Sequence, residues 1–299
     1  MFNFDDEEYF GLMARIKIIG VGDFGAKMIN YAIANVLLNV EFAVVATNNE
    51  TLLNSSAPQR IKVSDTTDKE TRENLFELIR DFDLLFVPDL SDLSNENVSK
   101  QLAELSNLDL LFIFTDLSDE NISKQLAQLA ELSQHILTVA IVPESAPNKE
   151  KFQNLVDSLI VVDDDNIFLM YSAVRCINNL ITKQQLVGLD FADVNELLKN
   201  SGIGYVAYGN ASGETAEIDA MKNAINSVKD TLSKSKRILF CIIGGIENLN
   251  MMEVNEASTI VQEAAHPDAE IIWGVIASDD VTYLDSVETI IITIRSEVD

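Results

Sequence analysis

Basic residues are scarce in this chain of 299 residues. It carries 21 Lys and Arg against 48 Asp and Glu, which gives a formal net charge of −27. Nucleic acids bind clusters of basic side chains that displace counterions from phosphates, and anionic membrane surfaces also attract positive charge. From the excess of acidic residues we therefore expect no nucleic-acid partner and no direct contact with a membrane.

Cysteine, histidine and long apolar runs are scarce as well. Cys176 and Cys241 are the two cysteines, and His135 and His266 have no Cys or acid at ligand spacing, so neither a disulfide framework nor a metal site is predicted. No apolar run approaches the ~20 residues that span a bilayer. The first ten residues are acidic where a secretory signal would be basic. These absences predict a cytoplasmic protein.

Apolar side chains are abundant, at 47 % of the residues, and they occur in short runs between segments of helical spacing. Such runs predict buried strands. Strands that are apolar on both faces and separated by helices form a mostly parallel sheet with helices on both sides. The predicted strands are 15–22, 40–47, 60–63, 83–87, 109–114, 135–142 and 157–162, followed by 202–213, 237–245, 270–278 and 287–295.

The pattern divides the chain into four parts. Residues 1–14 are an acidic arm, and 15–166 are a first α/β domain. A long central helix is predicted over 167–187, and a second, smaller α/β domain over 188–299.

One strand–helix unit is present twice. LSNENVSKQLAEL at 93–105 recurs as LSDENISKQLAQL at 117–129, and each copy follows a D-L-L-F strand. A strand plus a helix is the natural increment of a parallel sheet. The sequence therefore predicts an extra unit in the first domain and leaves open whether 83–105 or 109–129 is the insertion.

A glycine loop follows the first predicted strand and begins a helix. Gly20, Gly22 and Gly25 have the G-x-G-x-x-G spacing, in which backbone N–H groups can approach a phosphate at a helix N-terminus. A dinucleotide fold also needs an acid at the end of the second strand, and no carboxylate occurs there before Glu50. A tight strand–helix turn that needs small residues explains the glycines equally well, so both interpretations stay open.

Several segments resemble the bacterial tubulin homologue FtsZ. They are RIKIIGVGDFGAKMIN near the start, GNASGETAEIDAMKNAINS, and RILFCIIGGIENLNMMEVNEASTIVQEAAHPDAEIIWGVI. The resemblance covers about residues 15–295, and DFADV, ASGE and EVNEA are its most specific parts. It implies a Rossmann-like parallel sheet of the nucleotide-binding type, a central helix and a smaller second domain. It also implies a cytoskeletal or cell-division role, with another FtsZ-like subunit as a head-to-tail partner.

The chain departs from that family where FtsZ binds nucleotide phosphates. FtsZ carries a GGGTGTG-type loop after its fourth strand, whereas the candidate loops here, 88–97 and 115–121, carry several carboxylates. Acids at a helix N-terminus satisfy its N–H groups and its dipole themselves, so a triphosphate would meet like charge there. The loop at 64–67 also lacks the glycines of the family.

Other departures lie around the glycine loop and the base site. Asp23 and Phe24 replace glycines, while Lys27 supplies one compensating charge, and Ile167 and Phe168 stand about where the family has an acidic pair that reads guanine. We therefore expect no cofactor. If a nucleotide binds, the resemblance implies GTP or GDP with Mg²⁺, and its contacts would be Gly20, Gly22, Gly25, Lys27 and Asn48.

An acidic loop of the family is largely present. FtsZ has an N-x-D-x-x-D loop whose two carboxylates help position the attacking water in the nucleotide site of a neighbouring subunit. The corresponding residues here are Gly188, Asp190 and Asp193. Asp190 and Asp193 are therefore the candidate catalytic residues. An alternative compatible with that role is that Asp190 caps the next helix.

Three functions follow from this combination. The leading hypothesis is a non-catalytic FtsZ-like protein, a pseudo-GTPase that modulates tubulin-like filaments. The second is a divergent FtsZ that binds and hydrolyses GTP and assembles by itself. The third is a structural polymer that assembles without nucleotide.

Overall fold

The computed structural model describes residues 14–63, 73–75, 108–132, 136–164, 166–182, 189–279, 283 and 285–295. Several predictions fall outside these residues: the arm before residue 14, the loop 64–67, the strand 83–87 with its helix, the loop 88–97, and Gly188.

Strands and helices alternate along the first two thirds of the chain, as the apolar runs predict. The strands are β1 Ile16–Val21, β2 Glu41–Ala46, β3 Gln59–Lys62, β4 Leu110–Phe114, β5 Leu137–Pro143, β6 Ser158–Val162, β7 Gly202–Ser212, β8 Arg237–Gly245, β9 Glu270–Ser278 and β10 Ser286–Arg295. The helices are α1 Gly22–Ala34, α2 Asn49–Leu53, α3 Glu120–Leu132, α4 Lys149–Phe152, α5 Ile167–Thr182, α6 Phe191–Leu198, α7 Ala216–Leu232 and α8 Met251–Ala264.

The ten described strands form one sheet in the order β3-β2-β1-β4-β5-β6-β7-β10-β8-β9. Every neighbouring pair from β3 to β7 is parallel. Strand β10 is antiparallel to both β7 and β8, and β8 is parallel to β9. The mostly parallel α/β fold is thereby confirmed, and the sheet is continuous through the β6–β7 pair. The domain boundaries stay predictions.

Burial explains why the parallel part forms. All residues of β1, β4, β5 and β6 are buried, because helices cover both faces of these strands. The described copy of the duplicated unit supplies β4 and α3 beside β1, and the copy at 83–105 lies outside the described residues.

The topology separates two edges of the sheet. Strands β1, β2, β4 and β6 are parallel, so their carboxyl ends and the loops that follow lie at one edge. Four residues separate the end of β6 from the start of helix α5, which has 16 residues and a length of about 24 Å. It therefore crosses the sheet to the opposite edge, where α6 leads into the start of β7 beside the start of β6.

Candidate functional site

The glycine-loop edge consists of the loops that follow β1, β2 and β4. Gly22 begins α1 with φ of +65°, a conformation that favours glycine. Gly20 and Gly25 have a different role, because a Cβ added to Gly25 would lie 2.4 Å from the carbonyl carbon of Gly20 and 2.7 Å from the carbonyl oxygen of Phe114. These two glycines let α1 pack closely on β1 and β4, as the alternative interpretation of the loop expects.

A carboxylate lies directly against this turn. A Cβ added to Gly22 would be 2.8 Å from Oδ2 of Asp119, which belongs to the loop between β4 and α3. Strands β1 and β4 are neighbours in the sheet, and Gly20 pairs with Phe114 near their carboxyl ends. The loop after β1 and the loop after β4 therefore lie side by side. The acid therefore occupies space next to the only glycine of the loop with a positive φ.

The loop between β4 and α3 is closed by hydrogen bonds of its own. Asp116 Oδ1 accepts bonds from the backbone N–H of Ser118 at 3.0 Å and from its hydroxyl at 2.6 Å. Thr115 Oγ1 accepts a bond from Leu117 N and lies 2.9 Å from the hydroxyl of Ser123. Several donors that could face a phosphate are thus already used.

The first turn of α3 adds another negative charge. Glu120 lies 2.5 Å from Lys124 Nζ and accepts a bond from the side chain of Asn148. The hydrogen bond from Lys124 lowers the pKa of Glu120, so this carboxylate stays ionised at neutral pH. Glu120 lies in the first turn of α3, where the helix dipole favours an anion.

A polar pocket of about 380 Å³ lies between α1 and α2 at the same edge. The hydroxyl of Thr51 contacts the carboxylate of Asp23 and lies 2.8 Å from Oδ1 of Asn48. Asn48 also accepts a bond from Thr51 N and so caps α2. Lys27 lines the pocket, is exposed, and forms no hydrogen bond or ion pair with the part of the chain that is described. The predicted residues Lys27 and Asn48 are therefore brought together, and ligand binding by them stays a prediction.

The first turn of α5 is apolar, as the sequence indicates. Phe168 is 38 % exposed and its ring contacts Tyr208 edge to face, with 4.7 Å between the ring centroids. An aromatic ring in this position packs against β7 and offers no acceptor for a guanine.

Asp190 and Asp193 lie at the opposite edge, at the start of α6. Asp193 N donates to Asp190 Oδ1 at 3.0 Å, and Asp190 N donates to Asp193 Oδ2 at 3.1 Å. These two bonds form a reciprocal capping box, so the capping role is confirmed by geometry. Both side chains are exposed. Their catalytic role toward a neighbouring subunit stays a prediction.

The sequence did not predict a buried polar cluster between α5 and strands β7 and β10. Arg175 donates to Glu288 Oε2 at 2.6 Å and to the hydroxyl of Tyr283 at 3.2 Å. Glu288 also accepts bonds from the hydroxyls of Tyr208 and Tyr283. Burial, and then the Glu288 carboxylate bonded to Tyr208, raise the pKa of Tyr208 far above its ordinary value. The available signal was Arg175 itself, the single charged residue of helix α5.

None of the described helices is long and apolar enough to cross a bilayer. No group of three or more His, Cys, Asp or Glu side chains in the described ranges could hold a metal ion.

Comparison with known proteins supports the resemblance. Residues 202–295 match the model of the FtsZ family, C-terminal domain. An FtsZ dimer of M. jannaschii superposes with a TM-score of 0.74 at 20 % identity, covering 99 % of this chain and 93 % of that one. A protofilament of CetZ2 from Haloferax volcanii superposes with a TM-score of 0.59 at 15 % identity, covering 95 % of this chain and 94 % of that one.

The resemblance seen in the sequence is confirmed: residues 202–295 match the C-terminal domain of the FtsZ family, and the chain as a whole shares the fold of the FtsZ and CetZ structures.

Proposed function

We propose that this FtsZ-like protein is a non-catalytic partner that modulates tubulin-like filaments. The observation that carries the proposal is the carboxylate of Asp119 beside Gly22, at the turn where the family would hold phosphate. Asp23 and Glu120 add negative charge on either side of the same edge.

Electrostatics indicate why this arrangement opposes a nucleotide. Two like unit charges about 4 Å apart repel by about 4 kcal/mol near a protein surface. A triphosphate carries several charges, and the donors of the loop between β4 and α3 are bonded to Asp116 and Thr115. Lys27 offers one opposing charge at the rim of the pocket. Repulsion by the carboxylates outweighs the attraction of Lys27, which favours an empty phosphate site.

The placement of the two edges supports a head-to-tail partner. The glycine-loop edge and the capped acidic loop lie at opposite edges of the sheet, separated by the length of α5. Structural neighbours include an FtsZ dimer and a CetZ2 protofilament. We infer that this chain docks on another FtsZ-like subunit, with Asp190 and Asp193 facing that subunit's nucleotide edge.

Co-sedimentation with a canonical FtsZ polymerised in GTP tests the proposal. We expect the protein to pellet with the polymer, or to change the polymer mass at substoichiometric amounts. No association and no change in polymer mass would contradict it. Pelleting of this protein alone with GTP would favour a self-assembling GTPase, and pelleting alone without nucleotide would favour a structural polymer.

A double variant tests whether the acidic loop, Asp190 and Asp193, makes the contact with the FtsZ-like subunit. Replacing Asp190 by Ser and Asp193 by Gln keeps the capping-box pattern while removing both charges. We expect this variant to fold normally and to lose most of the association. An unchanged association would show that the acidic loop is not the contact.

A further inference from the structure

Two glutamates meet where α7 packs against α8. Glu217 lies in the first turn of α7 and is only 2 % exposed, and Glu253 lies in the first turn of α8. Both accept hydrogen bonds from Asn250: its backbone N–H donates to Glu217 Oε1 at 2.6 Å, and its side-chain Nδ2 donates to Glu253 Oε1 at 3.2 Å. Asn250 also caps α8 through Met252 N. The cap of α8 is therefore held by both carboxylates.

One oxygen of this group is buried without a donor. Glu253 Oε2 accepts no hydrogen bond from any residue that the structure describes. A buried carboxylate oxygen in that position is costly while it is charged. A proton on Glu253 removes the cost, because the resulting hydroxyl donates to the Glu217 carboxylate, with which Glu253 is hydrogen-bonded. The geometry therefore fits one carboxyl and one carboxylate with one proton between them.

The charges around the pair favour keeping that proton. Glu256 on α8 opposes ionisation of Glu253. Strand β7 contains no charged residue, and Glu288 of β10 faces Arg175 on α5. The remaining charged residues of these elements and of the segments directly before the two helices are exposed: Glu214, Asp219, Lys222, Lys229 and Asp230 at α7, Glu247 and Glu263 at α8, and Arg295 at the end of β10. Lys222, the first cation along α7, lies more than one helical turn beyond Glu217.

The pair makes stability depend on pH. Burial, then the hydrogen bond to Glu217 and its charge, raise the pKa of Glu253 above its ordinary value. The folded chain then binds this proton more tightly than the unfolded chain does. The stability that the proton supplies is complete below the ordinary pKa of a glutamate, and it is lost as pH rises through the raised value.

We propose that Glu217 and Glu253 form a pH-sensitive contact: one bound proton holds the first turn of α8 against α7, and release of the proton loosens that turn. Glu253 is partly exposed, so the proton exchanges with solvent and no other reactant is needed. After release, two like charges face each other across Asn250 and repel. The longer bond, from Asn250 Nδ2 to Glu253, is the first to break.

Carbon NMR of the full chain, labelled in its glutamate carboxyl groups, measures the titration directly. The resonance that disappears in Glu253→Gln belongs to Glu253, and Glu263→Gln identifies an exposed reference on the same helix in the same way. We expect Glu253 to titrate at a clearly higher pH than Glu263. If the two glutamates titrated together, the proposal would be wrong.

Urea unfolding of Glu217→Gln tests the effect of the proton on the fold. The amide of Gln supplies a donor to Glu253, so the proton is no longer needed. From pH 5 to pH 8, we expect the unfolding equilibrium constant of the unmodified chain, divided by that of Glu217→Gln, to rise about threefold or more. Glu263→Gln is the matched control and should follow the unmodified chain. If Glu217→Gln does not fold, the NMR titration still decides.

Hydrogen exchange locates the change. After correction for the intrinsic effect of pH, we expect the first turn of α8 to lose protection as pH rises, and α6 to keep its protection. Two further results would overturn the proposal. One is a Glu217→Gln variant with the same pH dependence as the unmodified chain. The other is stabilisation at pH 8 by Ca²⁺ that Glu217→Gln abolishes, which would assign the two carboxylates to a metal ion.

Discussion

Charged side chains have different roles at the glycine-loop edge and at the junction where α5 packs against β7 and β10. At the edge, Asp119 and Glu120 lie partly in solvent on short loops and helix ends. At the junction, Arg175 and Glu288 are only 15 % and 16 % exposed and are bonded to each other and to tyrosines. Charges at the glycine-loop edge affect which ligands bind, whereas charges at the junction affect whether α5 stays packed against β7 and β10.

This difference indicates how a chain about 20 % identical to FtsZ keeps its fold. The fold depends on buried strands and on satisfied polar contacts inside. Phosphate binding also depends on partly exposed loop residues such as Asp119, where a substitution costs little stability.

Removing Glu288 should have the largest effect on stability. Glu288→Ala leaves the guanidinium of Arg175 buried without its carboxylate, so we expect the free energy of unfolding to fall by about 3–5 kcal/mol. Urea denaturation measures the change. Replacing both partners by Met should recover much of the loss, and Glu120→Ala, at an exposed pair, should cost below about 1 kcal/mol. If Glu288→Ala and Glu120→Ala lowered the free energy of unfolding equally, the junction and the glycine-loop edge would not differ in how their charges affect stability.

Gly25→Ala should destabilise the protein by about 1–3 kcal/mol, although alanine favours a helix. The new Cβ would meet the backbone of Gly20 and Phe114, which cannot yield as a side chain can. Gly204→Ala is the control, because its Cβ would meet its nearest neighbours at 3.4 Å, close to ordinary contact distance. Thermal or urea unfolding distinguishes them. A neutral Gly25→Ala would mean that the glycine is kept for a ligand.

The capping box at α6 should contribute about 1 kcal/mol. Asp190→Ala removes the acceptor of the Asp193 N–H bond, while Asp190→Asn keeps an acceptor and loses the charge. We therefore expect Ala to lower the free energy of unfolding and Asn to leave it almost unchanged. If Asn cost as much as Ala, the charge itself and not the cap would stabilise the helix.

Asp119→Asn should change stability least, by less than about 0.5 kcal/mol, since this loop is partly exposed. Its effect should appear in binding, because removing one negative charge beside Gly22 reduces repulsion of phosphates. We expect affinity for inorganic pyrophosphate to rise about tenfold by calorimetry. Asp230→Asn, an exposed site on α7, is the control. No gain from Asp119→Asn would show that charge does not close the site.

The sequence predicts most of the fold because the apolar runs are unambiguous. The bounds of β8 and β9 agree residue for residue with the predictions, and β1 and β6 differ by one residue at their ends.

The site was predictable only in part. The spacing of Gly20, Gly22 and Gly25 indicates a strand–helix turn, but it cannot show that two of these glycines serve packing. The contact of Asp119 with Gly22 joins residues almost a hundred positions apart, and it follows only from the β1–β4 register. The Arg175–Glu288 pair depends in the same way on how α5 packs against β10.

Calorimetric titration of the full chain with GTP and Mg²⁺ distinguishes a phosphate site closed by carboxylates from a working one. We expect no saturable binding, with any dissociation constant above about 1 mM. A micromolar dissociation constant, lost on Lys27→Gln, would contradict it and would identify a working nucleotide site at the glycine-loop edge.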